Sequence, residues 1–247
     1  MPDNPTVLRS ASVLEQLGTD IASGRYEGGE PFPTEAELMA TYQVGRSTVR
    51  EVISVLSGLG MLQATPRRGT IVIDRTQWNT LSRDVLRWLM HSKTHMPDIL
   101  EAIDEARRIF EPASAALVAK RATRRQIIEI ETAYAKMEDA AAQGNSEAAI
   151  LADREFHFAI LKATGNPILE AFDSALDTVL GLLFRVTASH MQNFRANLGN
   201  HLEILEAIRA GNAEAAELAM LKTIEFTSSK MKCAKLIGQD RRKEVKA

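Results

Sequence analysis

Cysteine is almost missing: Cys233 is the single one in 247 residues. No internal disulfide framework can hold the fold, and a reducing cytoplasm is the expected compartment. Long apolar runs are missing too. No stretch reaches the roughly 18 consecutive apolar residues of a membrane span, and the polar segment Met1 to Ser10 has no secretory-signal core, so a cytoplasmic protein with no membrane partner is expected. Aromatics make up only 5%, and neither sign of charge accumulates, with 30 Lys+Arg against 32 Asp+Glu and a net charge of -2. Bulk electrostatics therefore cannot hold a polyanion, and any nucleic-acid site must be a local patch. With 45% hydrophobic and 25% charged residues, the composition excludes the disordered and collagen-like classes. The length permits one large domain or two smaller ones, each able to bury a core without staples.

Glycine and proline are unevenly spread. Gly24, Gly28, Gly29, Pro31, Pro33, Pro66 and Gly69 punctuate the stretch before Asp74, as expected of short helices and strands joined by turns. From about Leu81 to Gly238 the texture is Ala-, Leu-, Glu-, Ile- and Arg-rich, interrupted only at Pro97, Gly144, Gly165-Asn166-Pro167 and Gly211-Asn212, which suits helices joined by short turns. The expected fold is mostly α: an N-terminal winged helix-turn-helix with a small β-hairpin wing, then an antiparallel all-helical bundle. The expected borders are 1–75, a linker and connecting helix over 76–94, the bundle over 95–238 and a basic flexible tail over 239–247.

Leu14, Leu17 and Ile21 fall at helical spacing and predict an amphipathic helix over about residues 7–24. Thr34-Glu35-Ala36-Glu37 has the form of a capping box and starts a second helix. After a turn at Gln43-Val44-Gly45, a third helix sorts its residues by face. Val49, Val52, Ile53, Leu56 and Leu59 share one sector, while Arg46, Ser47, Arg50 and Ser57 share the opposite one. Leu62 to Ile73 predicts a hairpin whose tip, Thr65-Pro66-Arg67-Arg68-Gly69, carries two positive charges and a glycine suited to positive φ. Arg46 and Arg50 have the chemistry to bond guanine edges or phosphates in a major groove, with Thr34, Ser47 and Thr48 anchoring backbone. Arg67, Arg68 and Gly69 would serve the flanking minor groove or its phosphates. Two arginines alone on a solvated face are ordinary surface charge. The ordered set of capping box, turn, arginine helix and Arg-Arg-Gly hairpin carries the inference.

These segments, Phe32-Pro33-Thr34-Glu35-Ala36-Glu37-Leu38, Val44-Gly45-Arg46-Ser47-Thr48-Val49-Arg50-Glu51 and Arg67-Arg68-Gly69-Thr70, resemble the GntR winged-helix repressors. The resemblance implies a homodimer reading an inverted-repeat operator in double-stranded DNA with two recognition helices and two wings. Ala36 stands where many members carry a phosphate-contacting arginine, and Gly45 replaces a frequent serine at the helix cap, a change of only a few tenths of a kcal/mol.

In the helical remainder, polar groups stand where core residues belong. Asp153 and His157 share a stripe with Ile150, Ile160 and Leu161; His201 falls among Phe194, Leu198, Leu205 and Ile208; Arg107 falls among Leu100, Ile103, Phe110, Ser114 and Leu117. Unpaired burial costs several kcal/mol, so such groups pair or bind something. One histidine on an apolar stripe is commonly a satisfied core residue, and an Asp-His pair at i,i+4 is often a surface contact. Three helices each aiming a polar group inward favour a shared cavity. Asp153, His157 and His201 have the donor chemistry of a divalent-metal site, zinc or similar. Arg107, with Arg185 as a second candidate, suits a carboxylate effector.

Glu105-x-Arg107-x-x-x-Glu111-Pro112, Asp153-x-x-Phe156-His157, Gly165-Asn166-Pro167 and His201-x-x-Ile204 resemble the ligand-sensing helical (FCD) domain of the FadR branch of the same family. That resemblance implies a metal held by one Asp and three His beside a small carboxylate. Asp153, His157 and His201 match, whereas Thr223 occupies the fourth position and supplies no imidazole. A three-ligand site with open positions, a weak site and a metal-free cavity all remain open. The linker Arg75-x-Gln77-Trp78-Asn79-x-Leu81-x-x-x-Val85-Leu86-x-Trp88 is similar to regulators of sugar-acid catabolism, which implies an effector such as galactonate or a related aldonate. Trp78, Leu81, Val85 and Trp88 also suit simple packing of the linker helix. The expected function is a transcriptional repressor, not an enzyme. The rival is a metal-dependent hydrolase or lyase using Asp153, His157 and His201, which leaves the arginine face and wing without a task.

Overall fold

The computed structural model describes residues 5–172 and 191–244, and the chain divides into two compact units, Met1–Leu100 and Glu101–Ala247. In the first, α1 (Pro5–Ala22), α2 (Glu35–Tyr42) and α3 (Arg46–Gly58) precede an antiparallel hairpin of β1 (Leu62–Thr65) and β2 (Gly69–Val72), followed by a 3-10 turn at Arg75–Gln77 and by α4 (Arg83–His91). The capping box forms as the sequence predicts. The Glu37 backbone N–H donates to Thr34 Oγ1 (3.3 Å), and the Thr34 N–H donates back to Glu37 Oε2 (2.7 Å). α3 starts on Gly45, which offers no side-chain cap. The hairpin pairs Leu62 with Val72 through Thr65 with Gly69. A feature absent from the sequence reading backs it. Phe32 N–H donates to the Thr70 carbonyl and Gly29 N–H to the Val72 carbonyl, so the Pro- and Gly-rich segment before α2 covers the free side of β2.

The core of this unit joins Val13, Leu17 and Ile21 of α1 to Leu38, to Val49, Val52 and Leu56 of α3, and to Leu62 and Val72 of the wing. Trp78, Val85, Trp88 and Leu89 belong to the same core, whereas Leu81 is 49% exposed. The stretch expected as a linker is thus part of the first compact unit. The physical reason is Gly18: a Cβ there would lie 2.4 Å from the Trp88 indole, so only glycine lets the α4 tryptophan sit against α1. Glu15 completes the contact, accepting from Trp88 Nε1 at 2.9 Å and from Arg87 Nη2 at 2.5 Å.

The second unit is helical throughout its described residues: α5 (Met96–Arg121), α6 (Arg124–Gln143), α7 (Ser146–Ala163), a single turn α8 (Pro167–Glu170), α9 (Met191–Arg209) and α10 (Ala213–Glu244). Thr123 and Gln126 form a second capping box. Gly144 at φ +66 and Gly211 at φ +67 close α6 and α9 in the left-handed conformation that ends helices, and the short connections make α6/α7 and α9/α10 neighbours. Ile130, Met137, Phe156, Ile160, Ile204 and Ile224 lie in one apolar cluster. α10 runs on to Glu244, because Gln239 to Glu244 contains no proline or glycine stop and is largely good helix formers.

Candidate functional site

The solvent face of α3 carries Arg46, Ser47 and Arg50 as the periodicity predicts, all exposed, with Val49, Val52 and Leu56 buried beneath. Thr48 departs from the expectation. It is 5% exposed, because it lies only about 40° round the helix from Val52 and so falls at the edge of the apolar sector. Its side chain packs inward rather than facing a ligand. Thr34 is exposed, but its hydroxyl donates to Glu37 Oε2 at 2.8 Å and is engaged in the cap. Glu35, which the sequence reading passed over, sits against both arginines: Oε2 is 3.5 Å from Arg46 Nε and Oε1 is 3.7 Å from Arg50 Nε.

At the wing tip Arg67 and Arg68 are exposed. Arg68 N–H donates to the Thr65 carbonyl at 3.3 Å, closing a turn with Pro66 second and Arg67 third. Arg67 has φ +65 and Gly69 has φ +76. Positive φ at the third position is the type II pattern, where glycine or asparagine is usual. The chain therefore holds an arginine in a strained conformation at the exposed hairpin tip, and outliers of this kind cluster at functional sites.

In the helical unit, Arg107, Glu111, Asp153, His157 and His201 are all nearly fully buried. Asp153, His157 and His201 offer ligand atoms that lie within 4.8 Å of one another, so α7 and α9 do aim their polar groups at one place. Arg107 is not a free guanidinium. Its Nε donates to Glu111 Oε1 at 2.5 Å, and the other Glu111 oxygen, Oε2, lies 2.6 Å from His157 Nδ1. His201 Nδ1 is 3.0 Å from the Asn197 carbonyl, which can only accept, so Nδ1 carries the proton. Its other nitrogen, Nε2, faces Asp153 Oδ1 at 3.2 Å, and two lone-pair atoms face one another only with a proton or a cation between them. By the same logic His157, facing a carboxylate through Nδ1, has Nε2 left as a lone-pair donor.

The electrostatics agree. Burial would push the Glu111 carboxyl up, but Arg107 and His157 outweigh it and lower it to about 2. Burial likewise opposes ionisation of Asp153, yet His201, His157 and Arg107 hold its carboxyl below the usual carboxylate range. Arg107 Nη1, Glu111 Oε2, His157 Nδ1 and His201 Nε2 are buried without an aligned hydrogen-bond partner among the described residues. Buried polar atoms are satisfied in the great majority of cases; here Glu111 Oε2 and His157 Nδ1 face one another and His201 Nε2 faces Asp153, which leaves Arg107 Nη1 as the buried donor of the cluster with no facing acceptor. Two imidazoles and one carboxylate suit a divalent metal of the zinc type, and a carboxylate holding the far nitrogen of a ligating histidine is the usual supporting contact. Phe156 packs edge-on to both rings, 5.9 Å from His157 and 5.3 Å from His201, giving the site an apolar wall.

Glu111, quoted in a motif but given no role, and Asn197 are the site residues that the sequence did not assign. Both were signalled by spacing, since each stands four residues before or after a polar group already singled out, Arg107 or His201. Thr223 is buried on α10 and donates to the Ala219 carbonyl at 3.0 Å, so its hydroxyl proton stays within its own helix. Arg185 lies outside the described residues.

Comparisons with known proteins fit both units. The profile described as "Bacterial regulatory proteins, gntR family" matches residues 9–72, and the FCD domain profile matches residues 98–226. The galactonate operon transcriptional repressor of Escherichia coli (strain K12) is 32% identical over 228 residues, covering 92% of this chain and 98% of that protein. The HTH-type transcriptional regulator LutR of Bacillus subtilis (strain 168) is 28% identical over 206 residues, covering 81% and 91%. Among solved structures, Streptococcus agalactiae GntR is similar with a TM-score of 0.51 and 28% identity, covering 89% and 99%. A structure described as Lar, which controls the Listeria monocytogenes agr system, shares the fold at a TM-score of 0.61 and 16% identity, covering 90% and 96%. These matches favour the regulator over the hydrolase or lyase reading of Asp153, His157 and His201, since the family and its relatives are transcriptional regulators. The chain belongs to the GntR family of bacterial regulatory proteins, in its FadR-type branch, and is a transcriptional regulator built from a winged helix-turn-helix and an FCD domain.

Proposed function

We propose that this regulator is a cytoplasmic homodimer that represses a sugar-acid catabolic operon and releases its operator when a small carboxylate binds the FCD domain. Residues 1–75 read DNA, residues 76–94 pack on that unit and lead onward, and residues 95–238 sense the effector and dimerise. Arg46, Ser47 and Arg50 enter the major groove of an inverted-repeat half-site, Thr34 and the α3 N-terminus hold backbone, and Arg67, Arg68 and Gly69 take the adjacent minor groove or its phosphates. A dimer places two such helices on half-sites about one helical turn apart.

The effector is an aldonate of the galactonate type. The Escherichia coli relative, a galactonate operon repressor, supports that class, and the single observation that carries the sensing role is the buried cluster of Arg107, Glu111, Asp153, His157 and His201 with its unpartnered Arg107 Nη1. Asp153, His157 and His201 would hold a divalent metal, which supplies a Lewis-acidic anchor for a hydroxy acid. Arg107, through its unpartnered Nη1, takes the carboxylate, and Glu111 keeps the guanidinium and the His157 ring in place. Effector must bind one conformation better than the other, because equal affinity shifts nothing.

The test is a gel shift on genomic fragments with and without galactonate and other sugar acids, alongside elemental analysis of the purified protein. Sequence-selective retardation abolished by an aldonate supports the reading. Retardation insensitive to every sugar acid overturns the effector assignment, and no bound metal after supplementation overturns the metal.

A further inference from the structure

Glu35 is at the first position of α2, and its two carboxylate oxygens face the two arginines of α3 at ion-pair rather than hydrogen-bond range, Oε2 at 3.5 Å from Arg46 and Oε1 at 3.7 Å from Arg50. Both arginines approach it through Nε. Each guanidinium therefore keeps its pair of Nη groups, the fork that fits O6 and N7 of guanine. Glu35 is not needed to cap its own helix, because the capping box uses Thr34 and Glu37. All three side chains are substantially exposed, with 70% of each arginine and 40% of Glu35 accessible. A carboxylate on the surface that must face a polyanion weakens phosphate binding. In a chain with no lysine and only seven arginines before residue 76, each such loss is large relative to the whole.

We infer that Glu35 is a specificity-determining positioning residue: its charge draws the inner nitrogens of Arg46 and Arg50, biasing their forks toward base-edge contact and away from phosphates. The inference rests on the assignment of Arg46 and Arg50 to the major groove. Non-specific affinity comes from neutralising phosphates and releasing counterions. An arginine already paired to a carboxylate contributes less to that release, while its free Nη fork still recognises guanine. Glu35 thus lowers affinity for every sequence lacking guanine at the right place more than it lowers affinity for the operator. A regulator competes with a vast excess of non-specific sites, so the ratio, not the absolute affinity, decides occupancy.

The experiment uses the full-length protein. A high-affinity duplex is selected with the unmodified regulator from genomic fragments, and a scrambled duplex of equal length and composition serves as the non-specific probe. Fluorescence anisotropy over a salt series then compares the unmodified protein, Glu35→Gln and the double variant Arg46→Ala/Arg50→Ala, with helix content checked by circular dichroism. Glu35→Gln is expected to bind the scrambled duplex about threefold or more tightly, with a salt slope steeper by about 1. The operator-to-scrambled ratio is expected to fall about tenfold. An unchanged ratio and slope, or weaker binding to the scrambled duplex, overturns the inference. If the double variant still binds the selected duplex normally, the groove assignment itself fails and Glu35 falls with it. If the double variant loses the operator while Glu35→Gln behaves as the unmodified protein, only the role of Glu35 is refuted.

Discussion

Glu111 and His157 meet inside the helical unit, carboxylate Oε2 against imidazole Nδ1 at 2.6 Å, while the other Glu111 oxygen holds Arg107. One buried acid therefore joins the cation expected to take an effector to the ring expected to take a metal. The arrangement is a chain rather than two independent sites, and each end depends on the middle residue.

Removing that middle residue should be severe. Glu111→Gln leaves the buried Arg107 without its ion-pair partner, and breaking a buried pair in this way costs about 3–5 kcal/mol. Urea denaturation followed by circular dichroism should show a midpoint shift of that size. The paired change Arg107→Met/Glu111→Leu should recover most of the loss, because apolar replacement of both members is often neutral. Where Glu111→Gln folds, its affinity for zinc should fall about 10–100-fold, measured by chelator competition.

Acid should act on the same group. Glu111 titrates at 4.5 unperturbed and at about 2 in the folded chain. A lowered folded value means the unfolded state binds more protons, so the stabilisation is present above pH 4.5 and is lost as pH falls from there toward about 2. Asp153 shifts in the same direction and adds to the trend. In metal-stripped protein, urea midpoints should decline through this window, and Glu111→Gln should flatten the decline.

The α1/α4 contact has no slack. Gly18→Ala puts a methyl 2.4–2.5 Å from three indole atoms of Trp88, and overpacking of this kind costs about 1–3 kcal/mol. Tryptophan fluorescence should report a lower denaturation midpoint, and a midpoint equal to that of the unmodified protein would show that Trp88 has another rotamer available.

Arg67 offers two effects of opposite sign. Glycine removes the left-handed penalty of about 1–2 kcal/mol for an L-residue, although glycine's extra freedom in the unfolded chain takes back part of it. Arg67→Gly should leave thermal stability equal or slightly higher while weakening DNA binding and reducing the salt slope by about 1. Arg68→Ala should weaken DNA binding with no gain in stability.

Much of the winged unit was legible locally. Thr34 and Glu37 sit three apart and cap what they predict; the 100° periodicity of α3 separates Arg46, Ser47 and Arg50 from Val49, Val52 and Leu56. These are properties of a few neighbouring residues and need no tertiary information. Thr48 was misread because an edge position of a helix is settled by what packs beside it. The pairing of Gly29 and Phe32 with β2 was invisible because backbone hydrogen bonds leave no mark in a Pro-Gly-rich string.

For this protein, the amino-acid order by itself determined the family, the two kinds of unit, the exposed arginines and the burial of Arg107, Asp153, His157 and His201, because periodicity states which face of each helix is apolar. It did not determine which faces meet. Only the packing of α5, α7 and α9 decided that Glu111 would lie between Arg107 and His157 and that His201 would turn toward Asp153. Only the packing of α1 decided that Trp88 would rest on Gly18. Helix periodicity is a local rule with a range of a few residues. Partnership between residues 46 positions apart, such as Glu111 and His157, is set by how whole helices pack, which no rule of that range reports.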